Sequence, residues 1–382
     1  MNIIAYYLPQ YHPTKDNDIW WGKGFTEWTN VAKAKPLFPG HYQPRIPADL
    51  GFYDLRMSDV RQKQVDLAIE AGISGFCYYH YWFGNGKQEL ELPFNEVVAS
   101  GEPNFPFCLC WANETWSHKF WNEDGSIIGS ETLIEQKYLG EDDDILHFNT
   151  LLPAFKDKRY MQIDGKLVFV IYKPLAFQDV SKFIELWNDL ARKNGLNGFY
   201  FIGFTFNADK EGEQILKLGF DAIDSCRLNR NRIRGIGWFF RKIISIIFHT
   251  PRRVAYKKVI PTLIGELERN CDNYFPTIIP NWDHTPRSGV NGDLFTKSTP
   301  DLFEIHCMDV LSSVTKKNTN RQVCFLKSWN EWGEGNYMEP DLKYGKGYIY
   351  ALRKVVDTLE SLLFSNTFDN ELLIGVSASV LF

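Results

Sequence analysis

Two glutamates three residues apart, Glu331 and Glu334, lie among tryptophans in the run Ser328-Trp329-Asn330-Glu331-Trp332-Gly333-Glu334-Gly335. Breaking or remaking a glycosidic bond needs one carboxyl group to protonate the leaving oxygen. A second must generate or stabilise the attacking species, and aromatic faces hold the apolar side of a pyranose. Glu331 and Glu334 are therefore the candidates for catalysis. Glu-x-x-Glu alone is common in solvated loops and first helical turns. Here Gly333 and Gly335 permit a tight non-helical turn, and the preceding apolar run Val323-Cys324-Phe325-Leu326 reads as a buried strand.

Further sugar-compatible side chains follow other apolar runs. The candidates for substrate binding are Tyr7, Tyr11 and His12 near the N-terminus, and Trp20, Trp21, Glu27 and Trp28 in the aromatic-dense loop beyond them. Later come His80, Tyr81 and Trp82, then Asn113, Glu114 and Trp116, then Lys173. Trp282, Asp283 and Arg287 follow, and Trp329, Asn330 and Trp332 flank the glutamates.

Short apolar runs alternating with amphipathic stretches must position these groups, which is the pattern of repeated βα units around a parallel sheet. Strands are predicted at Ile3 to Leu8, Gly75 to Tyr81, Phe107 to Trp111, Leu167 to Tyr172, Phe199 to Phe204, Ala222 to Asp224, Thr277 to Pro280 and Val323 to Ser328. Helices are predicted at Leu55 to Ala71, Val180 to Lys193, Pro300 to Lys316 and Tyr348 to Leu363. Eight such strands imply an α/β fold, a (β/α)8 TIM barrel with elaborated βα loops on the face that carries the site. No linker divides the chain, so residues 1–363 are expected to form a single catalytic domain, with 364–382 as a C-terminal tail.

The 382 residues are 44% apolar and 15% aromatic, enough for a large core with aromatic side chains to spare. Seven irregularly spaced cysteines form neither a zinc pattern nor a disulfide framework. No Gly-rich phosphate cradle follows a strand, and Asp142-Asp143-Asp144 reads as the first turn of a helix; no metal and no cofactor are expected. The chain opens directly as a strand with no charged, apolar leader before it, from which a cytoplasmic location is expected. A net charge of −5 and the lack of a binding motif argue against nucleic acid. One stretch stands apart: Arg227 to Lys258 carries ten Lys or Arg and no Asp or Glu. It is read as a basic amphipathic insertion at about 227–260 that would lie against an anionic membrane and place the protein peripherally at the inner membrane, or else pack on the barrel with its basic side in water.

Four segments, Ala5 to Pro13, Gly24-Phe25-Thr26-Glu27-Trp28, Gly72 to Trp82 and Trp329 to Gly335, together resemble the WbsX-type proteins of bacterial surface-polysaccharide clusters, over Ile3 to about Leu363. That group is similar in turn to family 99 glycoside hydrolases, endo-acting α-mannosidases with a (β/α)8 barrel whose last-strand motif reads Asn-Glu-Trp-x-Glu-Gly followed by Glu-Pro. Here the motif ends in Glu339-Pro340, and Gly333 stands where those hydrolases commonly carry a histidine. The resemblance implies that Glu331 removes the proton from a sugar 2-hydroxyl to give a 1,2-anhydro intermediate, and that Glu334 acts as general acid and then base. It implies a glycan or lipid-linked oligosaccharide as substrate. Two other readings remain open at this point. A sugar-nucleotide glycosyltransferase would need a basic pocket, for which Arg227, Arg230 and Arg287 are the residues available, and a silent glycan-binding barrel would have one glutamate buried in an ion pair.

Overall fold

The computed structural model describes residues 1–121, 127–228, 247 and 249–378. Eight parallel strands close on themselves: β1 (Asn2–Tyr7), β2 (Gly75–Trp82), β3 (Phe107–Trp111), β4 (Lys166–Ile171), β5 (Phe199–Thr205), β6 (Ala222–Ser225), β7 (Tyr274–Ile278) and β8 (Val323–Leu326). Closure is made by β1, which pairs with β8 from Asn2↔Val323 to Ala5↔Leu326 and with β2 from Ile4↔Gly75 to Tyr7↔Tyr78. Almost every strand residue is buried, because helices cover the outer face of a parallel barrel while side chains fill its interior.

The helices that matter for the site are α1 (Lys15–Trp21), α2 (Glu27–Lys33), α3 (Ser58–Ala71), α4 (Glu141–Phe155), α5 (Pro300–Val314) and α6 (Gly347–Ala378). The first two occupy the loop after β1. The acidic triplet opens α4 as its composition predicts: Glu141, Asp142, Asp143 and Asp144 all lie in its first turn. After β3 the chain forms an antiparallel hairpin, Trp116–Trp121 with Ile127–Ile134.

Three expectations need adjustment. The seventh strand begins at Tyr274, earlier than predicted, because Pro276 reads as a strand breaker although here it sits inside the strand opposite Ser225. The last helix does not stop at Leu363 but runs on to Ala378, so the expected tail begins as helix. Most of the basic stretch, 229–246 and 248, lies outside the described residues. Its far end is not one continuous amphipathic helix: Arg252–Ala255 pairs as a short strand with Asp293–Thr296 and leads into a one-turn helix, Tyr256–Val259. Among the described residues no helix is long and apolar enough to cross a membrane.

Inside the barrel Tyr6 stacks between Tyr79 and Phe325, with ring centroids 5.2 and 5.4 Å away, and its hydroxyl donates to Asp224. Thr277 Oγ1 donates to the same carboxylate at 2.6 Å. Burial pushes the Asp224 carboxyl up to about 7, against the pull of these donors and of Lys327. A folded-state value above the unfolded one adds stability that is fully present below about 4 and lost as the pH rises through about 7. Thermal melts from pH 4 to 8 are expected to show that descent, and Asp224→Asn is expected to flatten it by a few degrees. An unchanged slope in the variant would refute the assignment.

Candidate active site

Strand β8 ends at Leu326, and the chain turns through Lys327 and Ser328 into a loop that carries both glutamates at the C-terminal mouth of the barrel. Gly335 closes this turn in the left-handed region (φ 58°), where a side chain would be strained. The loop is fastened from below. Asn330 exchanges two hydrogen bonds with the Leu8 main chain, at 2.7 and 3.0 Å. The Tyr11 hydroxyl donates to the Asn330 carbonyl at 2.5 Å and accepts from the Trp332 amide at 3.1 Å. Glu339 anchors the far side, accepting from Trp332 Nε1, Gln64 Nε2 and Tyr53 Oη at 2.6 to 2.8 Å. Burial raises its carboxyl to about 7 in spite of those three donors.

Above this platform lies a cavity of about 570 Å³ whose walls include Tyr79, Tyr81, Glu114, Trp116, Trp282, Arg287, Lys327, Glu331 and Glu334. Arg287 Nη1 is 2.7 Å from Glu334 Oε1 and 3.4 Å from Glu331 Oε1, while its Nε donates to Glu27 Oε1 at 2.8 Å. Lys327 Nζ is 3.4 Å from the other oxygen of Glu331 and donates to Tyr79 Oη at 3.0 Å. His284 Nε2 stands 3.6 Å from Glu334 Oε1. Burial and then the neighbouring Glu334 raise the Glu331 carboxyl above its ordinary value, opposed by Lys327 and Arg287. Burial alone would lower both cations, but the carboxylates around them hold Lys327 and Arg287 well above their usual values. A second cavity of about 610 Å³ shares Glu114, Trp116 and Arg287 with the first and reaches Trp21, Glu27 and Lys33.

The structure brings Tyr81, Glu114, Trp116, Trp282 and Arg287 together with the two glutamates. Trp21 and Glu27 join them from the second cavity, and half-buried Trp20 meets Trp116 edge-on at 6.0 Å. Lys173 stands at the rim, 3.2 Å from Glu114. The other expected binders point elsewhere. Tyr7 donates outward to Gln64 on α3, and His12 is buried against the Pro9 carbonyl at 3.0 Å. His80 contacts His147 on α4 at 2.8 Å, and Trp82 stacks on that same imidazole. Side chains alternate across a strand, so Tyr79 and Tyr81 face inward while His80 and Trp82 must face the helices. Trp28, Trp329 and Trp332 are buried beneath the loop, Trp332 flat against Tyr337 at 3.7 Å, so they brace the platform rather than offer a sugar-facing surface. Asn113 is a bracket between two loops: it accepts from the Lys173 amide and donates to the Lys173 carbonyl. Asp283 turns away from the cavity, taking hydrogen bonds from Gln43 Nε2 at 2.9 Å and Thr285 Oγ1 at 2.6 Å beside His41 at 3.0 Å.

Sequence reasoning passed over Lys327, Tyr79, Tyr172, Phe206 and His284, all of which line the first cavity. The available signals were a lysine that ends an apolar run and the strand parity that pairs Tyr79 with Tyr81.

The molecule is thus a (β/α)8 barrel with an acidic, aromatic-walled cavity at the C-terminal ends of its strands. The chain belongs to the family described as Glycosyltransferase WbsX, whose model matches residues 3–352. It is 33% identical over 373 residues to proteins called Uncharacterized protein WxcX from two strains of Xanthomonas campestris pv. campestris, across 93% of this chain and 49% of theirs. The chain therefore spans about half the length of these relatives. Among solved structures, the GH99 endo-alpha-mannosidase from Bacteroides thetaiotaomicron has the same fold with a TM-score of 0.56 and 14% identity, covering 94% of this chain and 98% of that one. A glycoside hydrolase-like protein matches with a TM-score of 0.54 and 16% identity over 93% of each chain.

Gly333 has a steric reason to lack a side chain. A Cβ there would overlap the Glu27 carboxylate and lie 3.1 Å from Arg287 Nε. Gly333→Ala is expected to lower stability by about 1–3 kcal/mol through overpacking, measured by chemical denaturation. Because Glu27→Ala also removes a partner of Arg287, the double variant should lose less stability than the sum of the two single losses; a double variant no better than additive would show that Glu27 is not the obstruction.

Proposed function

We propose that this chain is a carbohydrate-active enzyme of bacterial surface-polysaccharide metabolism, O-antigen or capsule, with retaining glycosidase or transglycosylase chemistry on an α-mannoside-like glycan. The observation that carries this reading is the convergence of Glu331 and Glu334 on one Arg287 guanidinium at the wall of a cavity large enough for a saccharide. Glu331 takes the proton of the 2-hydroxyl, and O2 attacks C1 from the opposite face. Glu334 delivers a proton to the departing glycosidic oxygen. Water or an acceptor hydroxyl then opens the 1,2-anhydro ring at C1, giving its proton to Glu334, while Glu331 returns its proton to O2. A raised proton affinity suits Glu331 to a weakly acidic hydroxyl. Arg287 and Lys327 hold the two carboxylates together and balance their charge. Tyr81, Trp116 and Trp282 supply aromatic walls, and the adjoining second cavity suits a chain longer than one sugar.

Transfer from a sugar nucleotide has less support. Of the basic residues considered for it, Arg227 is buried against Glu268 at 2.6 Å and Asp209 at 2.7 Å, Arg287 is engaged by three carboxylates, and Arg230 lies outside the described residues. The test is incubation with α-mannosides and surface glycan, with and without sugar nucleotides, read by mass spectrometry. Turnover without nucleotide is expected, falling by a factor on the order of 10³ or more in Glu331→Gln and Glu334→Gln. It should also fall as the pH drops through the raised Glu331 value and the base becomes protonated. Product formed only with a sugar nucleotide would replace this reading with a transferase.

The basic stretch after β6 enters the same proposal as the element that brings a lipid-linked oligosaccharide to the barrel mouth. In vesicle sedimentation at low salt the protein should prefer anionic over neutral lipid; equal binding to both would remove the membrane from the proposal.

A further inference from the structure

A third cavity, of about 440 Å³, lies on the other side of the loop that follows β7. Among the described residues its walls carry four permanently cationic side chains, Arg45, Arg253, Lys297 and Lys343, against a single carboxylate, Asp283. That carboxylate is already satisfied by His41, Gln43, Thr285 and Arg45. Among the described residues Arg253, Lys297 and Lys343 have no acidic partner. Two of them are held over aromatic faces, Arg253 4.3 Å from the Phe38 ring centre and Lys343 4.6 and 4.9 Å from those of Tyr42 and Tyr344. This arrangement pre-positions charge without neutralising it. Lys297 is held at φ 58°, a left-handed conformation that a non-glycine residue adopts at a cost.

Phe38, Tyr42 and Tyr344 line the same walls together with Asn281 and Ser298, so an occupant whose charge the three cations meet is otherwise bounded by aromatic and neutral polar side chains.

We propose that this cavity binds an anionic group, a carboxylate or a phosphate. Arg253, Lys297 and Lys343 receive the charge. The site does not depend on the chemistry assigned to the two glutamates. It is nevertheless adjacent to them: the Asp283 side chain belongs to this cavity, while its main-chain N–H donates to the Glu334 carbonyl at 2.6 Å.

Titration calorimetry of the full chain at low salt, with glucuronic acid, glucose 6-phosphate and neutral glucose as probes, tests the proposal. One or both anionic sugars should bind at least tenfold more tightly than glucose, and which one does so identifies carboxylate or phosphate as the group recognised. The double variant Arg253→Ala, Lys343→Ala should raise that Kd tenfold or more, while Glu331→Gln should leave it unchanged. The lysine is exposed and the arginine half-buried, so the variant is expected to fold, and a melting curve verifies this. No preference over glucose, binding unaffected by the double variant, or binding lost only in Glu331→Gln would each overturn it.

Discussion

One guanidinium holds the mouth of this barrel together. Glu27, Glu331 and Glu334 all come within reach of Arg287, and three carboxylates would not share so small and buried a volume without it. Each partner is delivered by a different part of the chain: Glu27 by α2, Arg287 by the loop after β7, and the other two by the loop after β8. The contact is therefore a constraint on three loops at once. Removing one member of a buried charge set commonly costs about 3–5 kcal/mol because the rest are left uncompensated. Lys327 supplies the second positive charge from within the barrel, which lets Glu331 remain close to Glu334 despite its burial.

The same loop is fixed from the opposite side by neutral and aromatic contacts. Trp332 lies against Tyr337 and donates to Glu339, Asn330 ties the loop to the end of β1, and Tyr11 bridges both. A loop free to move would let the two carboxyl groups separate and relieve their repulsion. This one is held by a floor of buried tryptophans and tyrosines, so its charges must be balanced where they stand.

Much of the barrel is legible in the sequence because buried parallel strands are written as short apolar runs, and all eight appear as such. Among the strands, only the start of β7 lies more than two residues from its predicted position. The glutamate pair and Arg287 are legible for the same reason, since they follow strand ends. What the local pattern does not resolve is direction. His80, Tyr81 and Trp82 are consecutive, yet a strand sends alternate side chains inward, and only the middle one reaches the cavity. Nor does aromatic content separate floor from wall: Trp332 and Trp282 sit in similar loops, but one is sealed beneath the turn and the other faces the open space. Asp283 is the sharpest instance, a charged residue among candidates whose partners His41, Gln43 and Arg45 lie more than two hundred positions away.

The overlap between Glu27 and the space above Gly333 also reaches into descent. A carboxylate reaching Arg287 from position 27 and any side chain at position 333 exclude one another in this arrangement. The two positions, 306 residues apart, thus form a single heritable unit. A lineage that gains a side chain at the later site must first, or at the same time, give up or redirect the acid at the earlier one. Divergence between barrels with glycine there and barrels with a bulkier residue is expected to proceed by paired exchange rather than by gradual drift.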